Sequence, residues 1–166
     1  MEDIDALIAK YRSKGLLVDT NLLLLYFIGC YNPDQITSFK RTKSFTVEDF
    51  ELLQLLLDQF DVIVTTPNIL TEVSNLSNQL PETVRLDYYS EFSRRLLQFD
   101  EHYLGTKVIC RLPDFNRFGL TDTGIIELVK DRFLVLTDDF RLSGCLQSRS
   151  SDAINFNHIR AWFGEL

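Results

Sequence analysis

Cysteine, histidine and glycine are scarce in this chain, and each scarcity excludes a class of protein. The cysteines are Cys30, Cys110 and Cys145. They lie far apart with no C-x-x-C pair, which argues against a disulfide framework or a zinc knuckle. The chain has only two histidines and no G-x-S-x-G sequence, so no local signature supports a Ser-His-Asp or Cys-His nucleophile. The seven glycines show neither G-x-G-x-x-G nor G-x-x-x-x-G-K spacing, which removes dinucleotide-binding and P-loop folds.

Long apolar runs and a basic N-terminus are also missing. The longest apolar run, residues 22–30, is far shorter than the roughly 20 residues of a membrane-spanning helix and predicts a buried helix instead. The sequence opens Met1-Glu2-Asp3, which is acidic where a secretory signal is basic. We therefore expect a soluble, cytoplasmic protein without a membrane partner.

The charge balance of the chain is acidic. Its 166 residues include 17 Lys and Arg against 24 Asp and Glu, a formal net charge of −7. This balance argues against binding nucleic acid through bulk positive charge, but it suits an enzyme whose acids gather at a metal site. Hydrophobic residues at 45% and charged residues at 25% are typical of a globular domain. No linker or repeat interrupts the sequence, so residues 1–166 are expected to form a single domain.

Short apolar runs alternate with helical patterns along the chain. Continuous apolar runs rich in β-branched residues predict strands buried in a parallel sheet, at 16–20, 62–66, 107–112, 133–137 and 153–157. Helical spacing predicts helices at 22–31, 47–60, 68–80, 81–103, 122–131 and 140–147, with a long loop at 32–44. Thr46-x-x-Asp49 is a capping pattern, and Pro67 suits the first turn of a helix. The alternation predicts a three-layer α/β/α sandwich around a central, mainly parallel five-stranded sheet.

Carboxylates follow several of the predicted strands. Asp19 ends the first, Glu72 lies one to two turns into the helix after the second, and Asp122 opens the helix after the third. Asp138 and Asp139 end the fourth. Because the carboxyl ends of parallel strands share one edge of the sheet, we expect these acids to converge there.

Crowded carboxylates repel one another unless a cation lies between them. Oxygen ligands of this kind suit Mg²⁺ or Mn²⁺, and the scarcity of histidine makes zinc a poorer fit. Such a site suits phosphodiester hydrolysis, since the ion activates water and stabilises charge on the phosphate. Taken singly, an acid at a strand end is more often a helix cap or a turn residue than a ligand, and an acid such as Glu72 is more often a solvated side chain on a helix. The repeated order of apolar strand and then acid is what favours a metal site.

Four motifs in this order resemble those of a known family. They are Val18-Asp19-Thr20-Asn21, Pro67-x-x-Leu70-x-Glu72-Val73, Leu120-x-Asp122 and Leu136-Thr137-x-Asp139. The set resembles the acidic motifs of PIN-domain (PilT N-terminus-like) ribonucleases, over residues 15 to 162. The segment 154–158 also resembles the last strand of bacterial members.

The resemblance implies roles for individual residues. It implies that four carboxylates are catalytic and hold one or two Mg²⁺ or Mn²⁺ ions: Asp19, Glu72, Asp122 and Asp139. Thr137 would orient a phosphate, a metal-coordinated water or a carboxylate, and Asn21 would support Asp19. The T-x-D spacing favours Asp139 as the fourth acid, with the adjacent Asp138 left open as a ligand.

The resemblance also implies a reaction and partners. The family cleaves RNA to a 5′-phosphate and a 3′-hydroxyl, many small bacterial members are toxins paired with an antitoxin, and homodimers are frequent. The loop 32–44 and the pattern 81–103 make this chain longer than those compact toxins. Candidate RNA-binding residues are Lys40, Arg41, Lys43, Arg117 and Arg141. The alternatives are an inactive PIN-like module that binds RNA or protein and, ranked last, a phosphoacceptor or phosphatase, which lacks support because no D-x-D pair follows the first strand.

Overall fold

Five strands form one sheet in the computed structural model, which describes residues 2–130 and 132–164. The strands are β1 (Leu16–Val18), β2 (Ile63–Thr65), β3 (Asp100–Glu101), β4 (Leu134–Thr137) and β5 (Ala153–Asn155). The helices are α1 (Glu2–Tyr11), α2 (Thr20–Tyr31), α3 (Gln35–Ser38), α4 (Val47–Leu57), α5 (Pro67–Ser77), α6 (Glu82–Leu96), α7 (Thr106–Ile109), α8 (Phe115–Val129), α9 (Phe140–Ser148) and α10 (Phe156–Gly164).

The sheet is entirely parallel, with the strand order β3-β2-β1-β4-β5. At its centre, Leu17 of β1 is in register with Val64 of β2 on one side and with Val135 of β4 on the other. The chain moves outward from β1 to β2 and β3, then returns to place β4 and β5 on the opposite side. Helices flank the sheet, so the predicted three-layer α/β/α fold is confirmed. The chain changes direction between β1 and β4, the position at which open α/β sheets bind ligands.

Helix α2 is the hydrophobic centre of one helical layer. It is apolar almost all round and packs against α3, α4, α5 and α6. A helix of this kind is stable only when it is covered on every side. The glycine near its end, Gly29, allows the ring of Phe50 on α4 to approach so closely that a Cβ atom at Gly29 would lie 2.3 Å from Cδ2 of that ring.

Polar caps start the helices that lead away from the sheet. Thr46 and Asp49 form the predicted capping box of α4, in which each side chain bonds to the backbone of the other residue. Thr66 caps α5 just before Pro67, as the position of that proline predicts. Asp19 and Asp139 cap α2 and α9 in the same way, so these two acids stand at the sheet edge.

The third strand lies in a different place from the prediction. The segment 107–112 was expected to be a strand because of its apolar residues, but it forms α7 and the turn after it, with Ile109 buried and Val108 half exposed. The strand is instead Asp100–Glu101, inside the predicted helix 81–103, whose helical part ends at Leu96. Two exposed acids carry no hydrophobic signal, and their pairing with β2 holds the strand at the sheet edge.

Smaller differences concern helices that the hydrophobic pattern did not predict. The structure adds α1, α3 within the loop 32–44, and α10, which begins at Phe156 inside the predicted strand 153–157. Helix α8 starts earlier than predicted and contains a kink at Gly119, where φ is +72°. Asp131, the last residue of the predicted helix 122–131, is outside the described residues. Across 2–130 and 132–164, no helix has both the length and the apolar character to cross a membrane.

Candidate active site

Asp19 is buried at the carboxyl end of β1, where it caps α2. Its Oδ1 accepts a hydrogen bond from the backbone N–H of Thr20 at 2.6 Å, and its Oδ2 accepts one from the hydroxyl of Thr137 at 2.6 Å. Burial raises the pKa of Asp19 to about 6, against the lowering effect of these two hydrogen bonds. The charges of Asp138 and Asp139 raise it further. The fold therefore holds this carboxylate in a place that disfavours its charge.

Asp139 is joined to Asp19 through the same hydroxyl. The backbone N–H of Asp139 donates to Oγ1 of Thr137 at 3.0 Å, while its own Oδ1 caps α9 by accepting from the N–H groups of Arg141 at 2.6 Å and Leu142 at 3.2 Å. Thr137, the last residue of β4, thus orients both acids. This contact agrees with the carboxylate-orienting role that the resemblance implies for Thr137.

Glu72 joins two further segments of the site. It projects from an exposed position on α5, and its Oε2 accepts from the hydroxyl of Thr20 at 2.9 Å. Its Oε1 accepts from the hydroxyl of Thr121 at 2.5 Å. Thr20 directly follows Asp19 in the sequence, and Thr121 directly precedes Asp122. Glu72 is therefore held beside Asp19 and Asp122 although it is exposed.

Asp122 is half-buried on α8, and no hydrogen bond to its carboxylate is found within the described part of the chain. Its pKa is raised to about 7, first by burial and then by the charges of Asp19, Asp139 and Glu72, in that order. The charge of Arg141 acts in the opposite direction. The four predicted acids are thus close enough for their charges to interact.

Asn21 contacts a different acid from the one predicted. It was expected to support Asp19, but both oxygens of that carboxylate already accept hydrogen bonds from Thr20 and Thr137. The amide of Asn21 donates instead to Oδ1 of Asp138 at 3.2 Å. Burial raises the pKa of Asp138, and the hydrogen bond from Asn21 partly offsets this. Asp138 is therefore part of the same acidic edge.

The donor set fits a hydrated hard cation better than a closed metal cage. Within residues 2–130 and 132–164, no three His, Cys, Asp or Glu side chains form a group that could hold a metal ion as they stand. Mg²⁺ usually keeps several waters and is held by one or two carboxylates together with substrate phosphates. Asp19 and Asp122 supply oxygen donors whose ionised forms an adjacent cation would stabilise. Which of the acids contact the ion stays a prediction.

The predicted basic residues divide into two groups. Arg141 lies beside the acids: its Nη2 donates to the carbonyl of Arg117 at 3.2 Å, and both guanidiniums lie over the ring of Phe118, at 5.6 Å for Arg141 and 4.9 Å for Arg117. In the loop, Arg41 bonds to Gln79 beyond the far end of α5, about 10 Å along the helix from Glu72. Lys40 and Lys43 are exposed in the same loop, and no contact within the described residues brings them to the acids.

Three polar residues of the site were not predicted: Thr20, Thr121 and Asn157. The two hydroxyls hold Glu72, and the amide of Asn157 donates to the backbone carbonyl of Asp138 at 2.8 Å. A signal for the threonines was present in the sequence, since each is adjacent to a predicted acid. Asn157 had no such signal, because its approach depends on the turn from β5 into α10.

Comparisons of the chain with protein-family models, with curated proteins and with solved structures give no match. The chemistry of the site is therefore inferred from its own side chains and from the order of its motifs.

Proposed function

We propose that this protein is a metal-dependent endoribonuclease of the PIN-domain type. The observation that carries the proposal is the hydrogen-bond network at the sheet edge: Thr137 joins Asp19 to Asp139, and Glu72 is held by Thr20 and Thr121. This network joins acids from three separate segments, and through Thr121 it reaches a fourth segment that carries Asp122, at the switch point of a parallel sheet, the place where such sheets bind ligands. Phosphodiester hydrolysis needs a cation held by oxygen ligands, and the acids of this network are ligands of that kind.

The side chains of the chain have distinct roles in this proposal. Asp19, Glu72, Asp122 and Asp139 would hold Mg²⁺ or Mn²⁺, with Asp138 as a further oxygen donor. A cation bound there activates water and offsets the charge that builds on the phosphate. Thr137 positions Asp19, and Arg141 offers a guanidinium to a phosphate oxygen. Attack of water on phosphorus breaks the bond to the 3′-oxygen and leaves a 5′-phosphate and a 3′-hydroxyl.

The decisive experiment is cleavage of an end-labelled single-stranded RNA in Mg²⁺ or Mn²⁺. We expect Asp19→Asn to lose at least about 100-fold in rate, because the acid is central to the network. Asp58→Asn, at the exposed end of α4, is the matched control and should cleave like the wild type. Equal cleavage by Asp19→Asn and the wild type would refute the proposal.

A second measurement separates the enzyme from an inactive binding module. A metal that binds only the folded state must stabilise it, by about 2.7 kcal/mol at one hundred times its Kd. Mn²⁺ should therefore raise the melting temperature of the wild type and not that of Asp19→Asn. RNA binding without a Mn²⁺ shift or cleavage would favour the inactive module. A toxin role, an antitoxin-type partner and a homodimer stay predictions, since no contact among the described residues bears on them.

A further inference from the structure

Two neighbouring side chains in the first turn of α9, Phe140 and Arg141, point in different directions next to the acids. Successive residues of a helix point about 100° apart. Arg141 turns towards α8, where it contacts Arg117 and Phe118. Phe140 turns towards α10, where its ring centroid lies 5.7 Å from that of His158 in a tilted arrangement. Asp139 immediately precedes Phe140 and lies two residues before Arg141, so a guanidinium and an aromatic pair extend from the segment next to this acid.

The aromatic pair is open to solvent, although the phenyl ring of Phe140 is large and apolar. Phe140 is 60% exposed and His158 is also exposed. Neither ring is needed to fill the core, because the neighbouring Leu142 and Ile159 supply the buried faces of the same two helices. An exposed phenyl ring beside a polar site is available to stack against another flat group.

The pair is also fixed relative to the acids. Asn157, next to His158, donates to the carbonyl of Asp138 at 2.8 Å and is itself held by a backbone bond to the Asn155 side chain at 3.0 Å. Further along α10, Arg160 forms an ion pair with the largely buried Asp49 at 2.7 Å. These contacts hold the start of α10, and with it the backbone that carries His158, against the segment that carries the acids.

We propose that Phe140 and His158 form a stacking platform for one unpaired base next to the scissile phosphate, so that the site takes single-stranded RNA. The proposal rests on the ribonuclease function above. With the phosphate at the acids and the backbone near Arg141, the adjacent base would lie over the rings on the α10 side. Bases inside a duplex are covered on both faces by their neighbours, so only an unpaired base can use the platform.

The test measures stacking separately from cleavage. In an Asp19→Asn background, a short single-stranded oligoribonucleotide carries 2-aminopurine at one position at a time, and its fluorescence is quenched where that base stacks on a ring. We expect quenching at the position beside the bond that the wild type cleaves in the same RNA. Phe140→Leu should abolish this quenching and weaken binding about tenfold, and Phe140→Tyr should retain both.

The controls separate the platform from general effects. Phe163→Leu removes a similarly exposed ring, 58% against 60%, near the other end of α10, and it should bind and quench like the parent. The same RNA annealed to its complement should bind more weakly than the single strand. Unchanged quenching and binding by Phe140→Leu, in a protein whose wild type cleaves RNA, would overturn the platform alone. Absence of cleavage by the wild type would instead count against the ribonuclease function.

Discussion

Thr137 and Asp19 are 118 positions apart in the sequence, yet the hydroxyl of one lies 2.6 Å from a carboxylate oxygen of the other. Both are buried, and the same hydroxyl accepts the backbone N–H of Asp139. The contact joins the ends of β4 and β1, the two strands between which the chain reverses its direction across the sheet. A single hydroxyl thus sets the positions of two acids that the sequence places far apart.

Replacement of Thr137 by valine should destabilise the protein and impair the site together. Valine has nearly the same shape but no hydroxyl, so the buried carboxylate of Asp19 loses a donor, at an expected cost of about 1–3 kcal/mol measured by urea unfolding. The pKa of Asp19 should rise further, because the lost hydrogen bond lowers it. In a plot of cleavage rate against pH, the rise on the acidic side should therefore move to higher pH.

Thr65 is the matched control for this substitution. It is fully buried in β2, and its hydroxyl has no hydrogen-bond partner within the described residues. Thr65→Val removes a buried hydroxyl that makes no hydrogen bond, so the stability of this variant should equal or exceed that of the wild type. Equal destabilisation by the two variants would show that the hydroxyl of Thr137 has no special role.

The sequence was sufficient for the elements that the hydrophobic effect defines. Strands β1, β2, β4 and β5 were predicted as apolar runs, and the acids after β1, β2 and β4 followed from the geometry of parallel sheets, whereas Asp122 was assigned to a strand at 107–112 that the structure does not contain. Strand β3 could not be predicted in this way. Asp100 and Glu101 are exposed and acidic, and backbone pairing with Val64 and Thr65 makes them a strand.

The contacts within the site depended on information that a sequence pattern does not hold. Asn21 bonds to Asp138, while Thr20 and Thr137 bond to the oxygens of Asp19, and only the three-dimensional arrangement decides this choice of partners. The positions of the predicted basic residues depended on the same information. Arg141 comes two residues after Asp139 and lies at the site, whereas Arg41 belongs to a loop whose path sets it beside Gln79.

Loss of the Thr121 hydroxyl should lower activity with little effect on stability. Glu72 is exposed, so water can replace the lost hydrogen bond when Thr121 becomes valine. The carboxylate would no longer be held beside Asp122, and misplacement of a ligand is expected to reduce the cleavage rate about tenfold or more.

A double-mutant cycle with Glu72→Gln tests whether Thr121 acts through Glu72. If it does, Thr121→Val should have no further effect once Glu72 is replaced. Thr123→Val is the control, since its buried hydroxyl has no partner within the described part of the same helix. Additive losses in the cycle would mean that Thr121 affects the reaction by another route.

The contact of Gly29 with Phe50 predicts a local limit on side-chain size. An alanine at Gly29 would bring its Cβ within 2.3 Å of the phenyl ring and force α2 and α4 apart, at an expected cost of about 1–3 kcal/mol. Gly144, on α9, has no heavy atom within 4 Å of an added Cβ. Gly144→Ala should therefore stabilise the protein by about 0.4–1 kcal/mol. Thermal melts of the two variants should shift in opposite directions.

The ionised form of Asp122 is expected to destabilise the fold. Its pKa is raised from 3.8 to about 7, first by burial and then by neighbouring acids, which corresponds to at most about 4 kcal/mol at high pH. An acid whose pKa is higher in the folded state binds its proton more tightly there. Its contribution to stability is complete below about pH 4 and is lost as the pH rises through about 7. Asp122→Asn should thus melt above the wild type at about pH 8 and with it at about pH 4.

Asp152→Asn should show the opposite dependence on pH. The hydrogen bond from Lys10 lowers the pKa of Asp152, so this carboxylate stabilises the fold when ionised and the benefit is lost as the pH falls. Asp152→Asn should therefore melt below the wild type at neutral pH and approach it in acid.

Mn²⁺ should narrow the gap in melting temperature between Asp122→Asn and the wild type at about pH 8, because the ion stabilises only the chain that retains the carboxylate. If Asp122→Asn instead melts below the wild type at that pH, Asp122 is a structural residue of α8. The unfavourable charge of its buried carboxylate, on which the proposed role as a metal ligand depends, would then be absent.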